Sequence, residues 1–364
     1  MLPLTTPLNW QRVRLGDILT LKHGRDYKNF KLGNIPVYGS GGYMLSINNF
    51  LHNGESVCIG RKGTIDKPIY LNGKFWVVDT LFYSYSFKKS IPKFIFYAFS
   101  IIKWSNYNEA TGVPSLTKMT ISNIEIPLPP LNEQSAIANI LSGLDRYLCA
   151  LDALILKKES VKKALSFELL SQRKRLKGFN QAWQRVRLGD ILTLKHGRDY
   201  KNFKLGNIPV YGSGGYMLSI NNFLHNGESV CIGRKGTIDK PIYLNGKFWV
   251  VDTLFYSYSF KKSIPKFIFY AFSIIKWSNY NEATGVPSLT KMTISNIEIP
   301  LPPLNEQSAI ANILSALDNE ITSLKNKKRQ FENIKKALNH DLMSAKIRVL
   351  KKINAPKVKD KPAS

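Results

Sequence analysis

Apolar positions along this chain keep one period for about 120 residues, switch to another, and then repeat both. Between residues 10 and 130 they fall in short β-branched and aromatic runs separated by glycine-rich turns, which is the pattern of strands. ValArgLeu at 13–15 and the run from Asp17 to Leu21 open the series. NIPVYGSGGY (34–43), ESVCIGRKGTI (55–65), KPIYL (67–71) and FWVVDTLFYSYSF (75–87) continue it. SIPKFIFYAFSII (90–102) sets Pro92 ahead of Phe94, Ile95, Tyr97, Ala98 and Ile101 on one face, so a short helix is predicted there. ATGVPSLTKMTISNIEIPLPP (110–130) reads as a loop leading into a last strand that its prolines stop.

From residue 131 the apolar step lengthens to alternating fours and threes. Ile137, Leu141, Leu144, Leu148, Leu151 and Ile155 form a heptad seam that resumes at Val161, Leu165 and Leu169. A second series follows the same rule: Ile310, Leu314, Leu317, Ile321, Leu324, Phe331, Ile334, Leu338 and Leu342. Asn132 is the expected N-cap, with Glu133 in the first turn offsetting the helix dipole. At 1.5 Å per residue, a helix of about 40 residues spans roughly 60 Å. Two such helices with matching seams in one chain pair most simply as antiparallel partners; the alternative is two amphipathic helices that each cover a globular domain.

The second occurrence of the pattern is a literal repeat. Trp10 to Ser142 recurs unchanged as Trp183 to Ser315, 133 identical residues. From Gly143 and Ala316 the copies diverge while staying helical in pattern. A repeat this long is a duplicated domain rather than a solenoid unit. The expected fold class is α+β: two globular mixed α/β domains joined by two long antiparallel coiled-coil helices, with approximate two-fold symmetry. The expected boundaries are 1–130 for the first globular domain, 131–177 for the first long helix, 178–303 for the second domain, 304–352 for the second helix and 353–364 for a basic flexible tail.

Composition narrows the partners. Lys and Arg number 52 against 25 Asp and Glu, giving +27. Each repeat copy carries 15 basic and 8 acidic residues, so both globular domains are cationic. Such an excess favours a polyanion through counterion release on phosphate binding, although an anionic membrane surface or RNA satisfies the same count. No run of 18 apolar residues points to a membrane span, and MLPLTTPLNW lacks a secretory pattern. Three cysteines, Cys58, its copy Cys231 and Cys149, are too few for a disulfide framework or a zinc knuckle and suit a cytoplasmic location.

The most specific string is IPLPPLNEQSAIANIL, at 126–141 and again at 299–314, with GVPSLTKMTISNIEIP ahead of it. This combination, repeated before each heptad helix, resembles the specificity subunits of Type I restriction-modification systems, from Trp10 to about Leu350. The resemblance implies that the globular copies are target recognition domains and that the chain binds double-stranded DNA without catalysing a reaction. It implies two methyltransferase subunits docked on the helices at 143–177 and 318–352, methylating adenine with S-adenosylmethionine. It also implies restriction and translocase subunits that use ATP and magnesium. No cofactor or metal is expected in this chain. Other multisubunit restriction or methylation systems, a non-specific coiled-coil architectural protein and a stand-alone nuclease are the competing readings.

Candidate DNA contacts sit on the turns. Lys22, Arg25, Tyr27 and Lys28 surround GRDYK; Ser40 and Tyr43 belong to GSGGY; Arg61, Lys62 and Thr64 to GRKGT; Thr111, Ser115 and Lys118 to the loop before the last strand. Their copies are Lys195, Arg198, Tyr200, Lys201, Ser213, Tyr216, Arg234, Lys235, Thr237, Thr284, Ser288 and Lys291. Arginine suits guanine, and Lys, Ser or Thr suit phosphate. Each cluster also reads as a structural turn with solvated charges. His23 reads as a satisfied histidine, and Tyr38, Phe75, Trp76, Phe82 and Tyr83 read as core. No NPPY-type loop, S-adenosylmethionine turn or P-loop occurs, and the spacing of Glu55, Asp66 and Asp79 matches no nuclease metal motif. The resemblance usually brings two different recognition domains; identical copies predict a split palindromic target.

Overall fold

The computed structural model describes residues 9–349. The expected tail at 353–364 and the last residues of the second spacer helix lie outside the described residues. Two heads of the same construction each precede a 40-residue helix. In the first head the order is β1 (Gln11–Arg14), α1 (Leu15–Ile18), β2 (Leu19–His23), β3 (Leu32–Gly39), β4 (Gly42–Ile47), β5 (His52–Asn53), β6 (Ser56–Gly60), β7 (Ile69–Leu71), β8 (Lys74–Val77) and β9 (Leu81–Phe87). Then come α2 (Pro92–Ile101), a 3-10 turn at Trp104–Tyr107, α3 (Lys118–Asn123), β10 (Glu125–Leu128) and α4 (Leu131–Leu170). The second head repeats these elements, its helices being α5 (Leu188–Ile191), α6 (Pro265–Ile274), α7 (Lys291–Asn296) and α8 (Leu304–Met343).

Each head contains three small sheets. One is antiparallel with order β2-β9-β6-β7; another has order β4-β3-β8-β5, in which β3 and β8 run parallel; β1 and β10 pair as a separate ribbon. The apolar run at 75–87 is therefore two strands in two different sheets, broken by the turn Val78–Thr80, where Leu81 N donates to Val78 O at 3.0 Å. The residues expected to extend the first strand, Asp17 and Ile18, instead form the turn α1. Leu15 N donates to Ile124 O at 2.9 Å, and Gly16 lies so close to Ser122 that a Cβ would meet its side chain at 2.9 Å. That neighbour is α3, a helix inside the stretch read as a loop. It is capped by Thr117, whose side chain accepts from Thr120 N. Tyr38 is half-buried, and Phe75, Trp76, Phe82 and Tyr83 are core residues as expected.

Two compact units divide the chain: residues up to Leu151 with those from Lys327 onward, and Asp152–Asn326. In the first unit the core of the head (Phe94, Ile95, Phe99, Trp104, Ile121) continues into Ile137, Ala138 and Leu141 of α4 and Leu342 and Met343 of α8. In the second unit the equivalent core takes in Ile310, Ala311 and Leu314 of α8 and Leu169 and Leu170 of α4. Contacts between the helix segments run antiparallel in each. In the first, Tyr147 meets Phe331 at 4.7 Å between centroids and Asp145 meets Lys335. In the second, Lys158 meets Glu320 at 2.8 Å, Lys162 meets Asp318 at 2.5 Å and Glu159 meets Lys325 at 2.6 Å.

Ile137, Leu141, Leu151, Ile310, Leu314 and Ile321 are buried seam positions, and Leu144, Leu148, Leu317 and Leu324 are half-buried. Two of the expected seam residues face outward: Val161 is 45% and Ile334 51% exposed. Near the far end of each helix Leu165, Leu169 and Leu338, Leu342 pack into a head core, so the apolar face follows the head and the heptad step breaks. Asn132 also differs from expectation. It lies inside the helix, which begins at Leu131, and its Oδ1 accepts from Glu133 N at 2.9 Å.

Candidate nucleic-acid interface

The PLPPLNEQ string is a joint between head and helix. Glu133, only 2% exposed, accepts from Trp10 Nε1 at 3.1 Å and takes both arms of Arg348, at 2.6 and 2.9 Å. Glu306 does the same with Trp183, at 2.9 Å, and with Arg175, at 3.2 and 2.7 Å. A carboxylate this deep needs such a partner, because burying it unpaired costs several kcal/mol. Gln134 accepts from Ile91 N at 2.9 Å and donates to Lys89 O and Pro129 O at 3.0 and 2.8 Å, which ties α2 to the entry of α4. Its copy Gln307 makes the same bonds to Ile264, Lys262 and Pro302. The string that looks most like a motif thus builds the frame between head and helix.

Turns remote in sequence converge on one cleft of about 740 Å³ in the first head, with a counterpart of about 700 Å³ in the second. Its walls are Asp26, Tyr27 and Lys28, the Gly39–Met44 hairpin, and Val78, Asp79 and Thr80. The hairpin turns tightly because Gly42 adopts φ +115°, a conformation that only glycine takes readily. Gly24 is required for a different reason: any Cβ would lie 2.0 Å from Val78 O. Arg25 N donates to Val77 O at 2.9 Å, and Trp76 Nε1 donates to Arg25 O at 2.8 Å, so the 24–28 loop is held on the β8 end.

GRKGT flanks this cleft. Arg61 N donates to Thr80 O at 2.8 Å, Lys62 N to the same oxygen at 3.2 Å, and Gly63 N to Pro114 O at 2.8 Å. Lys62 bridges to Ser115, which joins the 111–115 loop to the cluster. The Arg61 side chain donates to Asp79 O at 3.0 Å, and in the second head Arg234 donates to Asp252 O at 3.2 Å. Lys62 and Thr111 are exposed, whereas Thr64 and Ser115 are half-buried. Tyr43 is 63% exposed, its hydroxyl beside Ser46 Oγ at 3.2 Å.

Two candidates stand apart from the cleft. Lys22 lies on β2, its Nζ over the Tyr85 ring at 3.8 Å, and Lys118 is the first residue of α3. The copies Lys195 and Lys291 behave alike. His23 packs against Phe82 at 4.9 Å. Met44, Asp79 and Thr80 as cleft residues, and His52, which sits against Phe75 and Tyr83, carry no signal of that placement in the sequence. Burial, with Lys22 nearby, holds the His52 imidazole below its usual pKa. Burial raises the Cys58 thiol to about 12, which keeps it an inert core residue. No helix among the described residues is long and apolar enough to cross a membrane. No group of three or more His, Cys, Asp or Glu among them could hold a metal ion, and Glu55 is engaged by the Tyr70 hydroxyl.

The family model described as the Type I restriction modification DNA specificity domain matches this chain twice, over residues 7–159 and 180–333. The chain belongs to the Type I restriction-modification DNA specificity family. A Type I restriction enzyme specificity subunit of Methanocaldococcus jannaschii is 26% identical, with 95% of each chain covered. A putative Type I specificity subunit of Haemophilus influenzae is 23% identical over 80% of this chain and 82% of its own. The S subunit of M. genitalium has the same fold, with TM-score 0.71 and 18% identity over 94% of this chain and 98% of that one. As a specificity subunit, the chain is the part of its system that recognises DNA and joins partner subunits, not the part that reacts.

Proposed function

We propose that this specificity subunit directs a Type I complex to a split palindrome, the same few base pairs inverted on either side of a non-specific spacer. The observation that carries this reading is the recurrence, residue for residue, of one loop-lined cleft in two heads of a chain with net charge +27. Each head is seated on the start of its own helix and on the end of the other, and two like readers in one chain suit a site with two like halves. Phosphate contacts from Lys28, Lys62 and their copies position the heads, and cleft side chains read base edges.

In this reading two modification subunits dock on the outer faces of the helices and methylate adenine with S-adenosylmethionine. Restriction subunits supply ATP- and magnesium-dependent cleavage, and the assembly works in the cytoplasm. The test is methylome sequencing of cells that express the complex. A bipartite motif with identical inverted halves is expected, and an asymmetric motif refutes it.

A further inference from the structure

The cleft has two carboxylates in a domain otherwise built to attract phosphate, and they are not equivalent. Asp26 is spent on its own loop, its Oδ1 accepting from Lys28 N at 3.1 Å, and Asp199 likewise accepts from Tyr200 and Lys201 N at 2.7 and 3.1 Å. Asp79 is exposed, and its carboxylate has no hydrogen-bond or ion-pair partner among the described residues. The backbone that carries it is clamped. Arg61 Nη1 donates to Asp79 O at 3.0 Å, Arg61 N to Thr80 O at 2.8 Å, and Thr80 Oγ1 accepts from Ser40 N at 3.2 Å. The result is an open acceptor on an immobilised turn, at the point where the chain passes from one sheet to the other.

We propose that Asp79, and Asp252 in the second head, are specificity-determining acceptors that take a hydrogen bond from the exocyclic amino group of a base, cytosine N4 or adenine N6. The proposal rests on the DNA-reading function above. A free carboxylate is repelled by phosphate, so its place against DNA is over base edges, where amino groups are the donors available to it in the major groove. The surrounding cations, Lys28 and Lys62, take the backbone. Arg61 and Arg234 become positioning residues. Each spends a guanidinium donor on the Asp carbonyl and holds the turn that aims the carboxylate.

Identical heads provide an internal control. Asp79→Ala is made in the first head only, in the full chain assembled with its modification subunits, and methylated sites are sequenced. The expected result is a motif whose one half relaxes at a single base pair, with discrimination there falling about tenfold or more, while the other half keeps its wild-type sequence. Asp252→Ala gives the same relaxation in the other half. Thermal unfolding of either variant matches the wild type, because no partner of the carboxylate is lost. An unchanged motif, or loss of the whole half-site, overturns the assignment while leaving DNA reading by the heads intact. A wild-type complex that methylates with no motif at all would instead overturn the underlying function. For the positioning role, Arg61→Ala with Asp79→Ala is expected to relax the same base pair no further than Asp79→Ala alone. Relaxation at a second base pair would make Arg61 a base reader in its own right.

Discussion

The two units hold the same head on different helix ends. In the first, Tyr147 packs against Phe331 with the rings tilted, Asn339 Nδ2 donates to Tyr97 O at 3.2 Å and its Oδ1 is buried without a partner. In the second, the corresponding places are taken by the Lys158–Glu320 pair and by Ser166. What survives the divergence is the ionic part of the seat: Asp145 and Asp318 under the Tyr97 and Tyr270 hydroxyls, Lys335 and Lys162 on those carboxylates, and Arg348 and Arg175 on the buried glutamates. The comparison separates two jobs along one helix. Neutral contacts, such as the Tyr147–Phe331 pair and the Asn339 bond to Tyr97, change their chemistry, whereas the ionic contacts that seat the head keep theirs.

The glutamate clasp gives the strongest way to break that equivalence. Arg348→Ala and Arg175→Ala each leave a buried carboxylate with only an indole N–H, and each is expected to give the largest loss of stability of these variants. Denaturant titration of the two variants should return similar losses, and a clear inequality would show that the heads are seated differently. A smaller effect comes from Tyr97→Phe and Tyr270→Phe. These hydroxyls donate to Asp145 at 2.6 Å and Asp318 at 2.8 Å, and burial and the carboxylate both raise their pKa. Each loss should be about 1–2 kcal/mol in the same titration.

The mildest probe is pH. His52 and His225 both have their pKa lowered, first by burial and then by Lys22 or Lys195. A lowered folded pKa means that the neutral form is favoured by folding. Stability is therefore full above the unfolded value of about 6.5 and declines as pH falls toward the folded value. His52→Phe with His225→Phe should flatten that decline, and the single variants should each remove half of it. A slope unchanged in the double variant would exclude these residues as the source.

The legible parts of the sequence were those governed by local rules. The 133-residue repeat, the α2 helix behind Pro92, the two long helices and the glycine turns of the cleft all follow from period and punctuation. The convergence of those turns did not, because it depends on β8 and β9 belonging to different sheets, which a continuous apolar run conceals. Glu133 looked like a dipole partner at a helix start; only its pairing with Arg348, 215 residues on, explains its burial. Val161 and Ile334 keep the heptad step in sequence but are exposed in the structure, because the apolar face beyond them turns to a head core at Leu165 and Leu338. A local signal for α3 was present in Thr117 followed by Thr120, and the flanking glycine and proline obscured it.

One unit is contiguous in the chain, Asp152–Asn326, while the other is closed by residues from Lys327 onward. A ribosome therefore finishes the first head long before it makes the helix segment that completes that head's core. At a synthesis rate of about 5–20 residues per second, the wait is on the order of ten seconds or more. During it, the socket for Leu342 and Met343 stays open on the nascent chain. The later-made unit has all its parts as soon as Asn326 emerges. Synthesis order thus gives two sequence-identical heads different early lives, and the first of them carries the greater exposure to chaperones and to misassociation.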